Sequence, residues 1–140
     1  MLLHTDDQLR AILEHPRSIA VLGAKESRLE AAWYVPAYLA DRGWSVVGVN
    51  PKLAGQDWLG KPAVGSLAEI VEPVEVVEVF RRADQLVAHA HELLALSWRP
   101  RWVWFQLGIA NQAAAALLSE AGIGVVQDRC MMPEHRRLVR

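Results

Sequence analysis

A single cysteine, Cys130, in a chain of 140 residues excludes an internal disulfide and a cysteine-built zinc site, and it fits a reducing compartment. No apolar run approaches the roughly 18 residues that a membrane span requires. The N-terminus carries Asp6-Asp7 where a leader peptide would be basic and then apolar, so the expectation is a cytoplasmic protein. An excess of charge of either sign is missing too. With a formal net charge of −1, neither nucleic acid nor an acidic membrane is an expected partner, and any anion must be recognised by local clustering. Histidines are few and poorly spaced for a metal. His89 and His91, two apart on a helix, point about 200° away from each other, so no metal site is expected.

What is present is a large apolar fraction, 52% of 140 residues, which is enough for one core in a length too small for two ordinary domains. One domain over residues 1–140 is expected. Thr5 and Gln8 have capping-box spacing before Leu9, Ile12 and Leu13, which gives a leading helix within residues 1–16. The apolar run Ser18-Ile19-Ala20-Val21-Leu22 lacks polar alternation, as in a strand covered on both faces, and it stops at Gly23. A helix beginning near Ala32 or Trp33 would place Pro36 in its first turn, where the missing donor costs nothing, and would leave 24–31 as a long loop. Ser45 to Val49 reads as a second strand, followed by an irregular segment to Gly65 with one short edge strand. Ser66 and Glu69 cap a short helix through Ile70, and Val74 to Phe80 is a valine-rich third strand. A helix from Asp84 to near Trp98, a strand from Trp102 to Gln106, an alanine-rich helix capped by Asn111 and a strand from Gly124 to Gln127 complete the alternation. Residues 128–140 read as a C-terminal tail. The pattern implies an α/β fold: a doubly wound, mostly parallel five-stranded sheet with helices on both faces.

In such a sheet, ligands bind beyond the carboxyl ends of the strands. The residues there are Gly23-Ala24-Lys25 with Ser27 and Arg28, then Asn50-Pro51-Lys52, Arg81-Arg82, and Gln106-Leu107-Gly108. Lys25, Arg28, Lys52, Arg81 and Arg82 thus gather on one edge of a nearly neutral protein. Arginines hold phosphates in planar, bidentate fashion and helix N-termini add oriented donors, so a ligand with several phosphates is implied. Two features of a dinucleotide site are absent. There is no Gly-x-Gly-x-x-Gly after the first strand, and no acid after the second to hold a ribose. Lys52 would suit a ribose phosphate better than a free hydroxyl, which points away from NAD and leaves NADP or coenzyme A.

The segments Ile19-Ala20-Val21-Leu22-Gly23-Ala24, Val49-Asn50-Pro51, Leu59-Gly60 with Ser66-Leu67, Val79-Phe80-Arg81-Arg82, Gln106-Leu107-Gly108-Ile109 with Asn111, and Asp128-Arg129-Cys130 with Glu134-His135 occur in order. As a set they resemble the small stand-alone CoA-binding proteins, a family similar to the CoA-binding domain of the succinyl-CoA synthetase alpha subunit. The resemblance runs from about Ile12 to His135. It implies a Rossmann-like fold with coenzyme A across the strand ends, contacted by Gly23, Ala24, Ser27, Arg28, Asn50, Lys52, Phe80, Arg81 and Arg82. The residues after the fourth strand would border the pantetheine arm. In the synthetase, a phosphorylated histidine in a separate domain carries the phosphoryl relay, and this chain is too short for that domain; synthetase activity is not implied.

The leading expectation is therefore a CoA or acyl-CoA carrier or sensor without its own catalytic centre. An acyl-CoA-dependent transferase or hydrolase acting with a partner subunit, and a nicotinamide-nucleotide redox sensor, are the alternatives. Cys130 is read as a small buried hydrophobe, because thiolate chemistry needs a cationic setting. Glu134 and His135 are read as solvated surface, Trp102 and Trp104 as packed under helices from one strand face, and Trp58 as free to cover a ligand or an interface.

Overall fold

Alternation within the strands decides the layering. In β1 (Ser18–Leu22), Ile19 and Val21 face one side, Ala20 and Leu22 the other, and all four are buried. The computed structural model, which describes residues 1–140, continues with β2 (Ser45–Val49), a two-residue antiparallel pair β3 (Asp57–Trp58) and β4 (Lys61–Pro62), β5 (Val76–Val79), β6 (Trp102–Phe105) and β7 (Gly124–Val126). Five of them form one sheet in the order β2-β1-β5-β6-β7, every pair parallel. Parallel pairing requires crossovers, and these put a helical layer on each face. On one face lie α1 (Asp6–Leu13), α2 (Ala31–Ala40) and α5 (Met131–Leu138), whose Leu9, Ile12, Val35, Leu39 and Met131 meet Ile19, Val21, Val46, Val76 and Trp104. On the other, α3 (Leu86–Leu94) and α4 (Gln112–Glu120) bring Leu86, Leu93, Ala115 and Leu118 against Leu22, Val77, Val103 and Phe105. This is the doubly wound α/β architecture the sequence implies. Both sheet edges are covered, by a bridge from Val64 to Val49 beside β2 and from Leu2 to Val125 beside β7.

Local signals hold where they are self-contained. Thr5 and Gln8 form the capping box of α1, and the Asn111 side chain accepts from Ala114 N at the start of α4. The Ser66–Glu69 box also forms, but it closes only a single 3-10 turn, Leu67–Glu69. The helix expected from Asp84 is likewise a 3-10 turn, Ala83–Gln85, leading into α3, which stops at Leu94 rather than near Trp98.

Two elements depart from the sequence reading for tertiary reasons. Helix α2 begins at Ala31, so Pro36 sits inside it rather than in its first turn. The carbonyl of Ala32, deprived of the donor four residues on, accepts instead from Lys25 N at 3.5 Å. The proline thereby ties the helix to the loop leaving β1. The expected tail contains α5, where Met131 and Leu138 are buried and the His135 ring meets Tyr38 edge-on, with centroids 5.3 Å apart. Its stability comes from docking on α1 and α2, including the Arg137–Asp6 pair at 2.9 Å, and not from its charged sequence.

Candidate functional site

The strand order reverses between β1 and β5: the chain moves outward from β1 to β2, then returns to the far side of β1 for β5. A crevice opens at such a switch point. Gly23 is what lets the two strand ends close on each other. Its φ is +90°, and a β-carbon there would lie 2.4 Å from the carbonyl oxygen of Phe80 and 3.1 Å from Arg81 Cδ. The ladder continues one step beyond the strands, with Phe80 N donating to Leu22 O at 2.8 Å and Gly23 N to Val49 O at 3.0 Å.

Two cavities meet at this point. The larger, about 510 Å³, lies on the α2 side and is lined by Lys25, Phe80, Arg81, Arg82, Gln106, Leu107 and Gly108, all residues singled out from the sequence. The start of α2 (Glu30, Ala31, Ala32), with Ala83 and Ile109, completes the wall. No side chain caps that helix, so the backbone N–H groups of Ala31 and Ala32 remain available to a ligand. The smaller cavity, about 260 Å³, lies on the α3 side and takes in Gly23, Asn50 and Pro51 together with Ser66, His89 and Glu92. Arg81 borders both. A separate hollow at the opposite ends of β1 and β2, about 210 Å³, sets Lys61 against Glu69 and Glu72 and has no excess of cations.

The other sequence candidates divide into those that build the crevice and those outside its lining. Ala24 is wholly buried, and its carbonyl accepts from Asn50 Nδ2 at 2.8 Å while Asn50 Oδ1 accepts from Lys52 N at 2.9 Å. Asn50 therefore stitches the ends of β1 and β2 together with both ends of its amide. Trp58 is buried against Gly48, and its indole N–H donates to Lys25 O at 2.8 Å. It is a brace for the β1 loop, which corrects the expectation of a ligand cover or interface. Ser27 Oγ accepts from Leu29 N, and Arg28 lies 5.0 Å over the Trp33 ring. Ser27, Arg28 and Lys52 line neither cavity.

The cations are unequal. Arg82 is exposed and held in a two-point pair with Asp84, at 3.1 and 3.3 Å. Arg81 has no carboxylate partner and uses only its Nε, which donates to His89 Nε2 at 3.3 Å. Gln106 is 5% exposed, and its Oε1 has no hydrogen-bond partner. Two positions behind it on the same sheet face is Trp104, paired in register with Glu78 of β5. Glu78 is completely buried with both carboxylate oxygens unpartnered, and burial pushes its pKa up to about 8.

Sequence reasoning passed over Glu78 and Glu92, and weighed His89 only as a metal ligand. His89 and Glu92 have the i, i+3 spacing that places them on one helix face, a signal that was available. Away from the crevice, Glu134 and His135 are not solvated surface. Glu134 holds Arg129, at 3.5 Å, and Arg137; His135 Nδ1 lies 2.9 Å from the Tyr38 hydroxyl. Burial, then the nearby Arg42 charge, lowers the His135 pKa. Cys130 is half-buried at the start of α5 and lines neither cavity. Trp104 is buried and donates to Arg129 O at 2.7 Å, while Trp102 is partly open beneath Arg17 and Arg101.

Known proteins are similar to this chain in sequence and fold. The chain is 34% identical over 128 residues to the uncharacterized protein YneT of Bacillus subtilis, covering 91% of this chain and 92% of that protein. Among solved structures, a Thermus thermophilus protein described as cell-free ID.343 superposes with a TM-score of 0.90 at 46% identity, covering 96% of this chain and 99% of that one. A hypothetical protein of Pyrococcus horikoshii OT3 gives a TM-score of 0.87 at 33% identity, over 96% of this chain and 92% of that one. A family model described as a CoA binding domain matches residues 17–136, from just before β1 into α5 and through every strand end that lines the crevice; the chain belongs to that CoA-binding-domain family.

Proposed function

We propose that the protein binds coenzyme A or an acyl-CoA across the carboxyl ends of β1, β2, β5 and β6 and acts as a carrier or sensor without a catalytic centre of its own. The observation that carries this reading is the Arg81 guanidinium at the switch point, without a carboxylate partner and with both terminal nitrogens free, flanked by one cavity on each side of the sheet. A diphosphate at Arg81 and the uncapped start of α2 would leave one arm of the ligand in each cavity. The adenosine end, with its 3′-phosphate, belongs on the side of Asn50, Pro51 and Lys52. The pantetheine belongs in the larger cavity, where Phe80, Leu107 and Ile109 supply apolar wall and Gln106 a carboxamide. Gly23, Ala24, Lys25, Ser27 and Arg28 form and tether the loop between the two. A non-catalytic role is supported by the state of the one imidazole at the crevice: the Nε2 of His89 is occupied by Arg81, so it is not free to act as a base.

Isothermal titration with CoA, dephospho-CoA, NADH and NADPH in one buffer tests the ligand. CoA is expected to bind best, with a loss for dephospho-CoA; a preference for either nicotinamide nucleotide would transfer the protein to the redox-sensor class. The arginine pair gives a sharper expectation. Arg81→Ala should weaken CoA by about 1.5–3 kcal/mol, the range of a charge-assisted bond, whereas Arg82→Ala, exposed and already paired, should cost about 1 kcal/mol or less. Equal losses in the two variants would contradict the assignment of the diphosphate to Arg81.

A further inference from the structure

Arg81 is fixed from two sides. Its stem runs directly over Gly23, where a β-carbon would come within 3.1 Å of Cδ, and its Nε donates to His89 Nε2 at 3.3 Å. Arginine has no acceptor, so this bond requires His89 Nε2 to carry the lone pair. The ring proton is then on Nδ1, which faces Glu92 Oε1 at 3.2 Å. Glu92, His89 and Arg81 form a directed chain: the carboxylate selects the tautomer, the tautomer presents an acceptor, and the acceptor holds the guanidinium edge-on. Both terminal amino groups of Arg81 are left without partners, beside the two cavities. A free arginine would have to give up rotational freedom on meeting an anion. One already tethered through Nε gives up less, and its outer fork is the edge that matches two phosphate oxygens.

We infer that His89, oriented by Glu92, is the positioning residue of the crevice: it holds Arg81 in the tautomer-dependent geometry in which its outer guanidinium edge grips the ligand diphosphate. The inference rests on the CoA reading of the site, and it assigns a role to two residues of α3 that do not themselves need to touch the ligand.

Titration with CoA of the wild type, His89→Leu, His89→Gln, Arg81→Ala and the Arg81→Ala/His89→Leu double variant tests it. His89→Leu should weaken CoA about tenfold, an effect of ordering and orientation rather than of lost charge. His89→Gln, which retains an acceptor near the Nε2 position, should stay within about threefold of wild type. On the Arg81→Ala background the leucine substitution should change nothing further, because a residue acting through Arg81 has nothing left to act on. Undiminished affinity in His89→Leu, or the same loss with Arg81 absent, overturns the proposal. A second readout needs no ligand. In nitrogen-resolved NMR of the free protein, His89 should show Nδ1 protonated and Nε2 bare, with a slowly exchanging Arg81 Nε–H that is lost in His89→Leu. An Nε2-protonated His89 overturns the positioning role even where CoA binds. Failure of the wild type to bind CoA, with the tautomer as stated, overturns the ligand reading instead.

Discussion

Glu78→Leu is expected to raise the stability of the protein by several kcal/mol more at pH 8 than at pH 4.5. Glu78 sits in the central strand between Val21 of β1 and Trp104 of β6, completely buried and with neither oxygen partnered. Burial without a hydrogen bond disfavours the charged form, which raises the folded-state pKa from the usual 4.5 to about 8. Between those two values the folded protein keeps a proton that the unfolded chain has released. Stability therefore falls as pH rises through this window, by about 1.4 kcal/mol per unit for one group, and is level again above the folded value. The sum is roughly 4–5 kcal/mol across the window. His135 has the opposite sign: its lowered folded pKa makes stability rise with pH towards 6.5, so a single melting curve would mix the two. Denaturant unfolding at several pH values, wild type against Glu78→Gln and Glu78→Leu, separates them. Both variants should lose the falling limb, and leucine, which leaves no buried polar atom, should be the more stable of the two. A wild type and Glu78→Gln with parallel pH profiles would show that Glu78 ionises at its ordinary value in the folded state.

Glu78 also marks the limit of what the sequence made legible. Val74 to Phe80 reads as a strand from its valines, and a glutamate inside such a run is compatible with an open face as well as a covered one. Only the helical layer over Val76 and Trp104 decides that the carboxyl is dry. The same division runs through the rest of the chain. The capping boxes at Thr5 and Ser66 and the cap at Asn111 are short-range geometry, and they form, although the one at Ser66 closes a single 3-10 turn and not the helix through Ile70 that was expected. The start of α2 does not form as read, because the cost of Pro36 inside a helix is offset by a contact from Lys25 that no local rule contains. Helix α5 is likewise sustained by the far elements α1 and α2. The crevice was legible as an edge, since the end of each strand can be counted along the sequence. That β5 lies beside β1, making Gly23 and Arg81 neighbours, depends on strand order, and so does the difference between Arg81 and Arg82. Adjacent in sequence, one is held by His89 over the crevice and the other by Asp84 in solvent.

Gly23→Ala should be the most damaging single-methyl change in the crevice, costing about 3 kcal/mol or more of folding stability. Two penalties coincide there. A residue with a β-carbon at φ +90° pays roughly 1–2 kcal/mol for a left-handed backbone. The carbon would also stand 2.4 Å from a backbone oxygen, Phe80 O, which cannot rotate away as a side chain can. Relief requires the ends of β1 and β5 to separate, straining the bond from Phe80 N to Leu22 O, and overpacking of this kind costs typically 1–3 kcal/mol more. Gly55 supplies the control. Its φ of +83° is nearly the same, but nothing lies within 4 Å of a β-carbon built on it, so Gly55→Ala should show the backbone penalty alone. Chemical denaturation of the two variants isolates the steric part as their difference. Titration with CoA then connects that part to the site, because the displaced atoms are the carbonyl of Phe80 and the stem of Arg81. A Gly23→Ala protein that folds should bind far more weakly, while Gly55→Ala should bind as the wild type does. Equal stability losses at the two glycines would mean that the strand ends part without cost, and the close approach of β1 and β5 would then not be what shapes the crevice.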